Sequence, residues 1–132
     1  MCFEIKIPLE KTKKDKVFYK VLITDDIDYY TPYINKRVHL GTMYETDYHD
    51  IVPDVYLYET YTYKLCVKFS DNVFHLCKNK REAKRFCEMF KFNHPSSTYN
   101  LVIVKAYVPK GSLLIKGFNE PYCVVNKVMY NK

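Results

Sequence analysis

The sequence predicts an α+β fold: a twisted, mostly antiparallel sheet carrying one main amphipathic helix over about residues 80–92. Three observations predict it. Residues 55–69 alternate side chains with the two-residue period of a strand, and Ala83, Phe86, Cys87 and Phe90 recur at helical spacing. Strand-rich runs stand on both sides of that helix, without the regular strand–helix alternation that a parallel sheet requires.

Taken in chain order, residues 1–16 mix Pro8 with Lys11, Lys13, Lys14 and Lys16, a density of cations that suits a basic N-terminal arm. Val17 to Thr24 is rich in β-branched and aromatic side chains and reads as a strand closed by the acidic turn Asp25-Asp26-Ile27-Asp28. From Tyr29 to Pro53 the turn formers Pro32, Gly41 and Pro53 interrupt any period, so an irregular excursion with short strands is expected. Val55 to Phe69 then reads as one long strand, bent near Glu59 and Thr60. After the turn Ser70-Asp71-Asn72, Val73 to Cys77 makes a short strand. Asn79 is placed to cap the helix, with Glu82 three residues on reaching back as a capping box. Asn100 to Val108 is a further strand ending in a Pro109-Lys110-Gly111 hairpin turn, and Tyr122 to Tyr130 forms the last strand.

A chain of 132 residues, 48% of them hydrophobic, is expected to be one domain over 1–132 rather than a disordered tail. No apolar run approaches the roughly 20 residues of a membrane helix, and the first residues lack a secretory apolar core. The expected location is therefore the cytoplasm of a host cell or a virion, with no membrane partner. Five scattered cysteines without a C-x-x-C pair read as reduced thiols. The abundance of Lys, Tyr, Asn, Ile and Phe points to an AT-rich genome of viral, phage or low-GC bacterial type.

Several groups of residues are candidates for chemistry. His75 and Cys77 share one face of their strand, and Cys87 lies on the helix stripe, so the three are the candidates for a zinc site. Their spacing matches no common zinc motif, and the expectation is buried thiols with no metal or cofactor. The acidic residues Asp25, Asp26 and Asp28 lack the glycine and closing glutamate of a calcium loop and are expected to serve turns. The densest charge is the solvent side of the helix, where Lys78, Lys80, Arg81, Lys84, Arg85 and Lys91 face only Glu82 and Glu88. Such a patch can grip phosphates or an acidic protein surface, or stand as a solvated face laced by Glu–Lys and Glu–Arg pairs.

The order of the second half, with a strand through Phe74-His75, a helix carrying Ala83 and Phe86, the strand Leu101 to Val108 and then Asn119-Glu120-Pro121-Tyr122-Cys123-Val124-Val125, resembles the ADP-ribosyltransferase fold. That resemblance implies a split sheet and an NAD-using site in which Glu120 would be the catalytic carboxylate, with Tyr19 and His75 as its companions. The sequence departs from the family where the residue that holds NAD should stand, since Tyr19 and Lys20 occupy that place, and Pro121 interrupts the last motif. Phe74-His75-Leu76-Cys77 before a helix is also similar to segments of uncharacterised small phage and giant-virus proteins.

These features give a ranked expectation. The first is a small accessory protein, viral or phage-encoded, that binds an acidic protein surface rather than catalyses, as an inhibitor of a host defence protein or a minor virion component. A transferase-like enzyme or remnant and a nucleic-acid binder are the alternatives.

Overall fold

A computed structural model describes residues 2–4, 10–47, 54–57, 65–68, 73–95, 99–116 and 122–132. Thirteen strands and one helix lie within them, every strand pairing is antiparallel, and the α+β class stands. The longest strands are β3 (Lys16–Thr24) and β10 (Asn100–Val108), and they pair along nine residues, from Lys16↔Val108 to Asn100↔Thr24. Both are runs of β-branched and aromatic residues, and the match in length lets each ladder bond be made.

The larger sheet runs β2 (Glu10–Lys11), β11 (Leu113–Lys116), β12 (Tyr122–Val125), β9 (Phe74–Cys77), β3, β10, β13 (Lys127–Asn131) and β6 (Met43–Glu45). The short strands β4 (Tyr29–Tyr30) and β5 (Arg37–Val38) extend from β3. Strands β12 and β13 are four steps apart in this order, which in a flat sheet would part them by roughly 19 Å at about 4.8 Å per step. They are instead joined by the single residue Asn126. The sheet therefore curls until its path meets itself, and β12, β9, β3, β10 and β13 form a closed ring.

Asn126 secures the joint. Its Oδ1 accepts from Leu113 N at 2.8 Å, its own N–H donates to Leu113 O at 3.2 Å, and its carbonyl accepts from Thr46 N at 2.8 Å. The final run is thus two strands broken at a corner, not the single strand that its apolar pattern suggests.

Alternation sorts the side chains of the ring. Phe18 and Leu22 of β3, Val104, Ala106 and Val108 of β10, Leu76, Leu114, Cys123, Val125, Val128 and Tyr130 form the inner core. The opposite face of β3 and β9 contributes Val21 and Cys77 to a second cluster under α1 (Lys80–Asn93). Here Ala83 is fully buried and Phe90 only 6% exposed, while Phe86 is half-buried. Asn79 Oδ1 accepts from Glu82 N at 2.9 Å as expected of a cap. The Glu82 carboxylate turns to Arg85 instead, at 3.3 Å.

Two further expectations are corrected. Within 55–69 the chain reverses: β7 (Asp54–Leu57) and β8 (Leu65–Lys68) pair with each other, Val55↔Val67 and Leu57↔Leu65, and β1 (Cys2–Glu4) adds to β8. The anticipated bend at Glu59 and Thr60 lies outside the described residues. The Pro109 turn joins strands that do not pair with each other, so it is not a hairpin turn. It is held by the segment from 10 to 15: Thr12 N donates to Ser112 O (2.9 Å), Thr12 Oγ1 to Pro109 O (2.9 Å) and Lys110 N to Asp15 Oδ1 (2.8 Å). Within the basic 1–16 segment, β2 and Thr12 are therefore stitched to the sheet, while Lys11, Lys13 and Lys14 stay exposed.

Candidate functional site

The helix presents its predicted cations to solvent. Lys78, Lys80, Arg81, Lys84, Arg85 and Lys91 are all exposed. The packing of Ala83, Phe86 and Cys87 against β3, β9 and β10 fixes which side faces out, so these positions follow from helical spacing. Arg85 pairs with Glu82 at 3.3 Å, an exposed i, i+3 contact worth a few tenths of a kcal/mol at most, about 0.2–0.5. Glu88 is the other acid of the exposed face, and the patch keeps a net positive field.

The same face carries apolar residues that charge counting missed. Phe92 is 85% exposed and Met89 51% exposed. On the flank of the helix, Tyr33, from the loop between β4 and β5, sets its ring edge-on against both Phe86 (5.9 Å) and Phe90 (5.8 Å) and still leaves 60% of its surface to solvent. The loop is fixed by Thr31, whose N–H donates to Lys36 O (2.9 Å) and whose Oγ1 accepts from Lys36 N (3.0 Å), with Asn35 at φ 50° making the turn. Met89 and Phe92 were detectable in the sequence as large apolar residues off the 83, 86, 87, 90 stripe. Tyr33 was not, because its contact with the helix is long-range.

The thiol cluster behaves as packing. Cys77 lies with Val21 and Ala83 under the helix, Cys87 packs at its margin, and Cys123 belongs to the inner core. Burial pushes the Cys77 thiol up to about 11 and Cys123 up to about 12, and raises Cys87 as well, so all three are poor nucleophiles at neutral pH. Among the described residues, no group of three or more His, Cys, Asp or Glu side chains is placed to hold a metal, the set His75, Cys77 and Cys87 included. The acidic turn serves backbone: Asp25 Oδ1 accepts from Ile27 N (3.0 Å) and Asp28 N (2.7 Å), and these donors hold its pKa below the ordinary carboxylate value.

Of the residues named by the transferase resemblance, Glu120 lies outside the described residues. Tyr19 and Tyr122 each pair with Cys77, so the three form one row across β3, β9 and β12, and all pack in the cluster under α1. Tyr122 meets Phe86 edge-on at 6.4 Å. His75 sits one position along β9 from that row's Leu76 neighbour, opposite Val124, and its carbonyl accepts from Lys20 Nζ at 2.8 Å.

Lys20 is the residue that breaks the alternation of β3, standing between Phe18 and Leu22 where an apolar side chain is expected. The β3–β9 ladder consists of the single pair Tyr19↔Cys77, and past it the lysine supplies the donor for His75 O. Burial pushes its ammonium down to about 8, with Cys77 and Cys123 acting weakly in the other direction.

Comparison with protein families, with curated proteins and with solved structures gives no match. Among the described residues no helix is long and apolar enough to cross a membrane.

Proposed function

We propose that this protein acts by binding an acidic partner protein on the solvent face of α1. The observation that carries the proposal is the concentration of six exposed cations, Lys80, Arg81, Lys84, Arg85 and Lys91 on the helix and Lys78 just before its cap, opposed on the helix by Glu82 and Glu88 alone. Such a field steers an acidic surface into encounter and selects against basic ones. The composition, rich in residues of AT-rich codons, supports a viral or phage accessory protein as the setting, in which a host protein or a virion component is the acidic partner. Catalysis is not part of the reading: Cys77, Cys87 and Cys123 are poor nucleophiles, and Tyr19, a companion of Glu120 in the transferase resemblance, packs in the cluster under the helix.

Fluorescence anisotropy with labelled poly-glutamate and with a labelled single-stranded oligonucleotide tests the proposal. Poly-glutamate is expected to bind the wild-type protein in a salt-sensitive manner and to be lost on Arg81→Glu, Lys84→Glu, Arg85→Glu. Binding that ignores these substitutions would remove the helix face from the account. Tight oligonucleotide binding with a steep salt slope would transfer the face to nucleic acid.

A further inference from the structure

At one end of the ring the apolar inner face gives way to lysines. Lys116 of β11 stands opposite Cys123 and Cys123 opposite Leu76, both of which are sealed in the inner core. Directly opposed residues of an antiparallel pair project from the same face of the sheet, so Lys116 leaves its strand on the inner side. Lys16 of β3 is opposite Val108, another inner-core residue, and takes that side for the same reason. Lys78 lies one residue past the end of β9, two beyond Leu76 and in step with it. Three strands thus direct three ammonium groups to one end of the ring, and the surroundings of Cys123 show that they meet. Burial raises this thiol, and the positive charges acting against that rise are those of Lys78, Lys116 and Lys16. We infer that this end of the ring is a binding site for a diphosphate group, held by the ammonium groups of Lys16, Lys78 and Lys116.

Three observations carry this. First, the group has no counter-charge. Among the described residues none of the three lysines forms an ion pair, and the acids close to them in sequence are engaged elsewhere: Asp15 accepts from Lys110 N at 2.8 Å and Glu82 pairs with Arg85 at 3.3 Å. A single lysine at a strand end runs its stem over apolar surface and puts its head in water, but three from three strands around one sulfur repel one another, and an anion among them relieves that repulsion. Second, the positions are set before binding. Lys16 ends the nine-pair ladder of β3 with β10, and Lys116 is held in the pairing of β11 with β12. Both are half-buried and Lys78 is exposed, so the group is fixed at its base and open to a solute on its outer side. Third, the donors select the anion. A phosphate monoester carries about 1.5 to 2 negative charges at neutral pH, fewer than three ammoniums supply, whereas two joined phosphates meet them. Each ammonium is a compact charge with freely rotating donors that suits tetrahedral phosphoryl oxygens, and the planar fork of arginine that grips a carboxylate by two bonds is absent from the three. The site goes beyond the solvent face of α1 and shares only Lys78 with it.

Isothermal titration of the full chain with inorganic pyrophosphate, ADP, orthophosphate and citrate at matched ionic strength tests the site. Pyrophosphate or ADP is expected to bind about tenfold more tightly than orthophosphate or citrate, a margin that one charge-assisted hydrogen bond supplies. The stronger of the two tells whether the group is taken free or on a nucleoside. Lys16→Ala with Lys116→Ala should weaken that binding about tenfold or more, whereas Lys36→Ala with Lys105→Ala, the same loss of charge at two exposed positions elsewhere, should leave it unchanged. A second measurement needs no variant and so does not depend on one folding: in the wild-type chain, pyrophosphate is expected to shield Lys16, Lys78 and Lys116 from an acetylating reagent, read by mass spectrometry, and to leave Lys36 and Lys105 as reactive as before. Equal affinity for all four anions, shielding spread evenly over the lysines, or undiminished binding by a folded Lys16→Ala, Lys116→Ala chain would overturn the inference. So would a single-stranded oligonucleotide that binds more tightly than either diphosphate and shields the same three lysines, which would give this end of the ring to nucleic acid.

Discussion

The two edges of β3 are made differently. Toward β10 the strand is zipped along nine residue pairs, with Leu22, Val104 and Ala106 sealed inside the ring. Toward β9 there is one pair, Tyr19↔Cys77, and then a lysine side chain bonded to a carbonyl. A ring of strands closes only if its register and stagger are satisfied all the way round. The contrast shows where this one concedes: the misfit is concentrated in the β3–β9 seam, and Lys20 supplies there the donor that the ladder no longer does.

The largest expected effect breaks the well-made edge. Leu22→Ala removes a fully buried side chain from the inner core and should cost about 2–5 kcal/mol in denaturant unfolding. A loss under about 1 kcal/mol would mean that the inner core is not where stability resides.

The seam is sharpened by Lys20→Met. With a folded-state pKa near 8 against an ordinary 10.5, the unfolded chain binds more protons between these values, so the penalty is complete below pH 8 and is relieved as pH rises toward 10.5. The substitution should therefore raise stability at pH 7, by at most about 3 kcal/mol before the lost His75 bond is subtracted, and the gain should shrink toward pH 10. Wild type and variant are compared at each pH, so that the opposite titration of Cys77 and Cys123 cancels. A gain independent of pH would refute the buried ammonium.

Asn126→Ala removes the side-chain acceptor for Leu113 N at the corner and should cost about 1–2 kcal/mol. Smaller again, native-state hydrogen exchange should rank the two edges: amides between β3 and β10 protected to near the global unfolding free energy, those facing the β3–β9 seam exchanging through local opening. Equal protection on both edges would erase the distinction. At the far end of the scale, Arg81→Glu with Lys84→Glu should change stability by no more than about 0.5 kcal/mol, which allows their effect on binding to be read without a folding correction.

How much of this was readable beforehand follows from the range of the forces involved. The helix, its Asn79 cap and the strands β3 and β10 are set by local spacing, and the structure has them where the pattern predicts. The reversal within 55–69 was hidden for a definite reason. Val55↔Val67 and Leu57↔Leu65 pair residues of the same parity, so one long strand and a folded-back pair have the same alternation. The corner at Asn126 sits between two apolar runs, and its partners Leu113 and Thr46 are remote in sequence. For the candidate site, the cations were legible from the helical wheel alone. The apolar half was legible at Met89 and Phe92 but not at Tyr33, whose ring reaches the helix from more than fifty residues upstream.

The ring also dictates an order of assembly. Its closing strand, Lys127–Asn131, is made after every other member, and the staple from Thr12 to Ser112 spans 100 positions. While the chain is being synthesised, β3 and β9 can exist only as incomplete pieces, with the inner core facing outward, until residues near 131 have cleared the ribosome exit tunnel. Closure of such distant contacts is slow because loop entropy must be overcome before any of them yields stability. A growing chain of this protein is therefore a different molecule from the finished one, sticky along the surface that later becomes its interior. Its yield in a cell should respond to translation speed and chaperone supply more than to substitutions on the exposed helix.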